Sequence, residues 1–330
     1  MRYRKFGNTE LTVSEIGFGA WAIGGNSMVG NTAIGWGMAD DKESVKAIKQ
    51  AIEQGINFFD TADFYGLGHS EILLGNTLAD NKEIIIATKV GHRNIDNTIQ
   101  LDYSKKYILN ACELSLRRLK RETIDYYQLH SARLAQLQYG ECIEAMQYLQ
   151  QQGKIRYWGL SLNTFDPLPE AEFLCNNNLG HGYQLVFNVI NQRAKVVMQM
   201  ADKQGYGLIA RMPLQFGLLT GKFKSDADFA ADDHRSFRFT KDIITASLTT
   251  LEKIIWPLCQ KYNTGKTALA LSFILSYAAI STVIPGIRTV QHAIENTNGI
   301  VQLDNADIQL IEKAYTDSFE KVVSLMQLQG

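Results

Sequence analysis

The sequence predicts an α/β chain closed into a single (β/α)8 TIM barrel. Three observations carry this. Eight short apolar runs recur between residues 15 and 300, amphipathic stretches separate them, and no low-complexity linker interrupts the alternation. Runs apolar on both faces suit a parallel sheet covered by helices on one side and filled by side chains on the other. An open doubly wound sheet is the alternative. One domain over residues 1–330 is expected, because closed barrels reach this length as one unit.

The chain opens with RYRKFGNTELTV, where Gly7-Asn8 marks an N-terminal hairpin able to plug the barrel bottom. Candidate strands follow at Glu15–Gly19, Asn57–Asp60, Ile84–Lys89, Tyr126–His130, Tyr157–Ser161, Gln184–Asn188, Gly207–Arg211 and Thr282–Pro285. Helices are expected between them over Lys42–Gln54, Ser104–Arg118, Gly140–Gln152, Arg193–Gln204 and Ile243–Tyr262. Leu109, Cys112, Leu116 and Leu119 recur at helical spacing, as do Ile143, Met146 and Leu149, so each helix has one apolar face. Ala268–Ile284 carries no charge, yet its serines and threonines and the following Pro285 read as a buried helix running into a buried strand, not a membrane span. From Leu303 an extra C-terminal helix is expected, then a tail lying across one end.

GFGAWA, Gly17 to Ala22, fits the glycine fingerprint of dinucleotide-binding sheets, which requires a helix to open at once. The continuation IGGNSMVGNTAIGWG is too glycine-rich for a helix. A strand followed by a long loop is the expectation.

Composition excludes several classes. With 45% apolar and 20% charged residues the chain can bury a large core, and a formal charge of −1 gives no field to attract nucleic acid or an anionic membrane. Cys112, Cys142, Cys175 and Cys259 show no Cys-x-x-Cys pairing and predict a reduced, cytoplasmic chain without a zinc site. The segment Asp232–Ser236, DDHRS, reads as a charged loop, not a metal site, since ligands seldom come from consecutive residues.

In such barrels the C-terminal strand ends converge on one face, which holds the active site. There the expected strand ends carry Asp60, with Tyr65 just beyond, Lys89, His130, Ser161 with Asn163, Gln184 with Asn188, Arg211, and Gly286 with Arg288. Singly, each has an ordinary structural reading as a turn former, solvated charge or satisfied core group. Together Asp60, Tyr65, Lys89 and His130 form an apparatus for carbonyl reduction. A phenol with an ordinary pKa of about 10 needs help to give up a proton near neutrality, and a neighbouring ammonium supplies it. Asp60 would hold Lys89, and His130 would steer the carbonyl oxygen. None of these groups can deliver hydride, so a cofactor is required. A hydrolase using paired carboxylates would need a second acid at another strand end, and none has suitable spacing.

FFDTADFYG with GHSE, IIIATKVG, DYYQLH, GKIRYWGLS, QLVFNVINQ, PLQFGLLTGKF and VIPGIRTVQHAIEN occur in the order and spacing of the aldo-keto reductases, and the chain resembles that family from Arg4 to near Tyr315. The resemblance implies a (β/α)8 reductase, commonly NADPH-dependent, whose tetrad falls on Asp60, Tyr65, Lys89 and His130, with Tyr65 as general acid. It places the nicotinamide amide against Ser161, Asn163 and Gln184, and assigns Phe187 as the ring stacked on the nicotinamide. It gives the diphosphate to Pro213, Leu214, Gly217, Leu218 and Lys222, and the adenosine to Gly286, Arg288, Gln291, Glu295 and Asn296. Arg288 suits a 2′-phosphate and favours NADPH, with NADH also open and His292 a second basic candidate. The substrate would be a small aldehyde or ketone, sugar-derived ones included. Channel-associated members imply the alternative of a non-catalytic nicotinamide-binding barrel that acts as a redox sensor or partner subunit. Trp21, Trp36, Phe64 and Phe216 either line the substrate pocket or pack loops onto the rim. Substrate choice is expected to lie in the loops Gly24–Asp40, Gly91–Tyr103 and Phe216–Phe239 and in the tail after Tyr315.

Overall fold

The computed structural model describes residues 1–224, 229, 233, 235, 236 and 238–329. Asp232 and His234 of the charged segment lie outside the described residues.

An antiparallel hairpin, β1 (Tyr3–Lys5) and β2 (Thr12–Ser14), precedes the first barrel strand, β3 (Phe18–Gly19). A five-residue 3-10 turn over Ala20–Gly24 follows β3, so no α-helix opens after GFGAWA. Next come a small hairpin, β4 (Met28–Val29) and β5 (Thr32–Ala33), then α1 (Asp41–Glu53) and β6 (Phe58–Asp60). Asp40 caps α1 by accepting from the Glu43 amide at 2.9 Å. The chain continues through α2 (His69–Leu78), β7 (Ile85–Val90), the hairpin β8 (His92–Ile95) and β9 (Thr98–Leu101), α3 (Lys105–Leu119) and β10 (Ile124–His130). After α4 (Leu134–Tyr139) and α5 (Glu141–Gln151) come β11 (Ile155–Ser161), α6 (Leu168–Asn176), β12 (Gly182–Val186), α7 (Lys195–Gln204) and β13 (Gly207–Arg211). The last part holds α8 (Lys241–Thr250), α9 (Leu258–Lys261), α10 (Lys266–Leu275), β14 (Thr282–Ile284), α11 (Val290–Thr297), α12 (Asn305–Ala314) and α13 (Glu320–Gln329).

Eight strands form one parallel sheet in the order β3, β6, β7, β10, β11, β12, β13, β14. Parallel bridges Ile16–Val283 and Gly19–Gly286 join its two ends and close the barrel, which rules out the open sheet. Two expected elements differ. The helix expected over Ile243–Tyr262 is divided by a π-turn at Leu251–Ile255 and by Pro257, which has no N–H to continue the ladder. The expected tail is helical: a π-turn at Tyr315–Phe319 carries α12 into α13, which buries Val322, Val323 and Met326.

Alternation along the strands sorts the core into two layers. Phe18, Phe59, Tyr127, Leu129, Trp158 and Leu185 face outward under the helices. Phe58, Ile85, Ala87, Tyr126, Ile209 and Ile284 face inward with Phe6, Leu11 and Val13 of the hairpin. Phe6 is fully buried and meets Tyr126 edge to face at 4.8 Å. Glycine makes room for it, since a Cβ on Gly207 would stand 2.6 Å from its ring. The hairpin thus plugs the bottom, and the polar inward residues gather at the top.

Candidate active site

Inward alternation puts Asp60 at the end of β6, Lys89 near the end of β7, Gln128 and His130 on β10, Gln184 on β12 and Arg211 at the end of β13. Tyr65 stands on the loop after β6. That loop lies close against the 3-10 turn after β3, where only glycine fits: Gly66 has φ +61°, and a Cβ there would stand 2.3 Å from the Gly24 carbonyl oxygen.

Lys89 is fully buried and all three of its ammonium donors are engaged. Nζ donates to Asp60 Oδ1 at 2.6 Å, to the Thr61 carbonyl at 2.8 Å and to the Tyr65 hydroxyl at 3.2 Å. Burial disfavours the ammonium, but the Asp60 carboxylate and the Tyr65 oxygen outweigh it and hold the Lys89 pKa above its ordinary value. The second Asp60 oxygen, Oδ2, accepts from Gln128 Nε2 at 3.0 Å and Gln184 Nε2 at 2.7 Å. The carboxylate is therefore fixed from both sides and aims a charged ammonium at the phenol.

His130 completes the group, with its ring edge to face with Tyr65 at 5.9 Å. Burial first, then His92, Lys89 and Arg211, push its pKa well below the ordinary range, so the imidazole is neutral. Its Nδ1 is buried without a hydrogen-bond partner, a polar atom suited to a ligand oxygen or hydroxyl. Asp63 also has a buried Oδ1 without a hydrogen-bond partner. Its carboxyl is pushed well up by burial and by Glu71, and Glu71 is itself held by Thr88 and Arg118, each at 2.6 Å.

The residues expected to hold a dinucleotide are distributed around the same rim. Ser161 lies beside both His130 and Gln184 in the strand register. Asn163 Oδ1 accepts from the Phe165 and Asp166 amides, which leaves its Nδ2 as the group able to reach a ligand. Gln184 turns its amide down to Asp60. Pro213, Leu214, Gly217 and Leu218 form a tight turn in which Gly217 has φ +94°; the Leu218 side chain is fully buried, so only its backbone can serve. Lys222 lies 3.6 Å from Glu295, which accepts from Gln291 at 2.9 Å. Arg288 donates to the Trp36 carbonyl, and Asn296 to that of Gly286. Lys222 and Arg288 both act on His292, whose pKa is lowered by burial and by these two cations and whose Nδ1 is buried without a partner. A groove of about 770 Å³ runs beside them, lined by Thr220, Lys222, Lys266, Glu295 and Asn298. This cationic donor set fits the phosphates of a dinucleotide.

One assignment is corrected. Phe187 does not face the mouth: its ring is fully buried, stacked on Phe273 at 5.7 Å and edge-on to Tyr277 at 4.9 Å. The strand expected to run to Asn188 ends at Val186, and Phe187 keeps the outward parity of Leu185, so its side chain packs under α10 and offers no face to a nicotinamide.

Of the four aromatics, Trp21 and Phe216 line a cavity of about 110 Å³ at the mouth together with Arg211, Arg238, Phe239 and Met326. Trp21 also stacks on Tyr65 at 5.9 Å. Trp36 stands behind them, edge-on to Trp21 at 5.4 Å. Phe64 lies on the other side, with Val29 and Ile34, and meets His92.

Sequence reasoning missed three groups. Gln128 was legible as a polar residue of inward parity within DYYQLH. His92 and Lys266 had no such signal, being placed by a hairpin and by a helix start. No helix among the described residues is long and apolar enough to cross a membrane.

The model of the Aldo/keto reductase family matches residues 15–316. The uncharacterized oxidoreductase YqkF of Bacillus subtilis is 29% identical, over 90% of this chain and 90% of its own. Aldo-keto reductase yakc, NADP(+), of Schizosaccharomyces pombe is 28% identical over 94% of this chain and 90% of its own. The structure of glycerol dehydrogenase AKR11B4 from Gluconobacter oxydans superposes with a TM-score of 0.81 at 27% identity, covering 96% of this chain and 95% of that one. Closed barrel and sequence match therefore agree over nearly the whole chain, and it belongs to the aldo/keto reductase family of oxidoreductases.

Proposed function

We propose that this protein reduces small aldehydes or ketones to alcohols, with NADPH as the electron source. The observation that carries the reading is the single Lys89 ammonium bonded at once to Asp60 and to the Tyr65 hydroxyl at the barrel mouth. The nicotinamide cofactor, when bound, supplies hydride to the carbonyl carbon.

The protein's own residues supply the rest. His130 and Tyr65 hold the carbonyl oxygen between them, and Tyr65 transfers its hydroxyl proton to that oxygen as the C=O π bond breaks. Lys89 stabilises the negative charge left on the phenol oxygen, and Asp60, fixed by Gln128 and Gln184, keeps the ammonium in place. Tyr65 recovers its proton from solvent. Ser161 and Asn163 are suited to the carboxamide, the Pro213–Lys222 turn to the diphosphate, and Arg288 with Lys222 to an adenosine 2′-phosphate. The relative named for NADP(+) supports NADPH as the form used.

Loss of the nicotinamide absorbance band with a panel of aldehydes, aldoses and aromatic ketones tests this. Tyr65→Phe is expected to lower kcat by about 10²–10⁴-fold while NADPH still binds, and a fully active variant overturns the assignment. Tight NADPH binding with no turnover in either direction would shift the reading to a nicotinamide-sensing barrel.

A further inference from the structure

His92 sets a second imidazole against His130. It stands on the hairpin strand β8, with the two ring centroids 4.3 Å apart, and it meets Phe64 edge to face at 5.5 Å. The backbone on both sides is fixed: the Tyr107 hydroxyl donates to the His92 carbonyl at 3.4 Å, and the Tyr103 hydroxyl to the His130 carbonyl at 2.5 Å. A benzene ring would pack in this place as Phe64 does, so packing alone does not require a nitrogen heterocycle. The ring nitrogens of His92 make no hydrogen bond and no ion pair among the described residues. The side chain is partly exposed, and burial with the Lys89 charge keeps it neutral, so it offers one donor and one acceptor. His130 Nδ1 is buried and unpartnered beside it. Ligand oxygens taken by two rings this close must themselves be close, as on neighbouring carbons.

We propose that His92 is a substrate-contacting residue that selects carbonyl compounds carrying a hydroxyl on the adjacent carbon: Tyr65 and His130 take the carbonyl oxygen, and His92 takes the hydroxyl. This rests on the carbonyl-reductase reading. A hydroxyl both donates and accepts, so either tautomer of a neutral imidazole can bond it. The hydroxyl is unchanged in the reaction: a C–H bond forms at the carbonyl carbon with the cofactor's hydride, an O–H bond forms with the Tyr65 proton, and a vicinal diol leaves. A methyl in place of the hydroxyl covers the imidazole and gives it nothing to bond, which is how a site built around a hydrogen bond rejects the analogue that lacks it.

The test uses pairs that differ by a hydroxyl for a methyl, with NADPH and the intact protein: hydroxyacetone against butanone, and lactaldehyde against 2-methylpropanal. Hydration and intrinsic reactivity of each compound are the same for every variant, so the readout is the change in the kcat/KM ratio of a pair from one protein to the next. His92→Phe keeps a ring against His130 and removes the nitrogens; it is expected to lower the hydroxy-to-methyl ratio about 10-fold, the size of one hydrogen bond. His92→Leu, a second variant without ring nitrogens, should show the same fall, and His92→Gln, which keeps a donor and an acceptor, should restore part of the ratio. For 4-hydroxy-2-butanone against 2-pentanone, where the hydroxyl is one carbon further away, the ratio is expected to stay constant in all variants. A ratio for the adjacent-hydroxyl pairs that does not change in His92→Phe and His92→Leu overturns this proposal and leaves the reductase reading standing. So does an equal loss on both members of a pair, which would make His92 a support for the His130 ring, or an equal fall for the distant hydroxyl. Wild type that reduces none of the six carbonyls, and oxidises none of the corresponding alcohols with NADP+, overturns both.

Discussion

The imidazole of His92 lies tilted against that of His130, ring centroids 4.3 Å apart and planes 31° apart. Two imidazolium ions at that distance would repel strongly, and Lys89 and Arg211 add positive charge on the same side. Burial and Lys89 lower the His92 pKa to about 4, from an ordinary 6.5. Both rings are therefore neutral at physiological pH.

A pH dependence of stability follows, with a definite sign. Below 6.5 the unfolded chain takes up a proton at His92 that the folded protein refuses until about pH 4, so stability present above 6.5 is lost as pH falls through that window. Asp63, whose carboxyl pKa is raised, acts in the opposite direction, so the informative quantity is the difference between wild type and His92→Gln, which leaves Asp63 in place. Urea unfolding at pH 7.5, 6 and 5 should show the variant gaining on wild type as pH falls. A constant difference would mean that His92 carries no proton linkage.

Lys89 and Asp60 exemplify a buried pair whose halves cannot be separated cheaply. Lys89→Met leaves the Asp60 carboxylate sequestered with only two amide donors, and a loss of about 3–5 kcal/mol is expected in denaturant unfolding. Asp60→Asn combined with Lys89→Met should recover much of that stability and none of the turnover. If the double variant is as unstable as the single, packing of the lysine stem, not charge, is what the single variant removed.

Phe6 offers the opposite dissociation. It fills the barrel bottom against Tyr126, at the end away from Tyr65 and Lys89. Phe6→Ala should cost about 3–5 kcal/mol, while the folded fraction keeps wild-type kcat. A large drop in kcat would show that the plug sets the geometry of the mouth.

The barrel was legible because each of its strands is a short apolar run, and the gathering of Asp60, Tyr65, Lys89 and His130 because they stand at or just beyond the ends of three of those runs. Parity extended that reading: Tyr126, Gln128 and His130 alternate inward, so Gln128 could have been assigned to the interior from the sequence alone. Parity also tells against Phe187: Gln184 faces inward and Leu185 outward, so Phe187 has the outward parity of Leu185 and belongs under the helices. His92 was illegible because a hairpin outside the barrel alternation carries it back over His130. The segment after Tyr315 was read as a tail because the π-turn there breaks the helical repeat that its apolar residues would otherwise show.

Closure of the barrel depends on backbone bonds between Glu15, Gly17 and Gly19 near the start of the chain and Val283 to Ile287 near its end: Gly17 N–H donates to Val283 O at 2.8 Å, Val283 N–H to Glu15 O at 2.9 Å, and Gly19 N–H to Pro285 O at 3.0 Å. A ribosome must therefore release the chain through Ile287 before the first strand, already paired with β6, can meet its second neighbour. Until then β3 and β13 expose unpaired edges, which are templates for association with other chains. Nascent chains are thus most vulnerable to aggregation just before β14 emerges, and a protein cut short before Thr282 would remain in that state permanently.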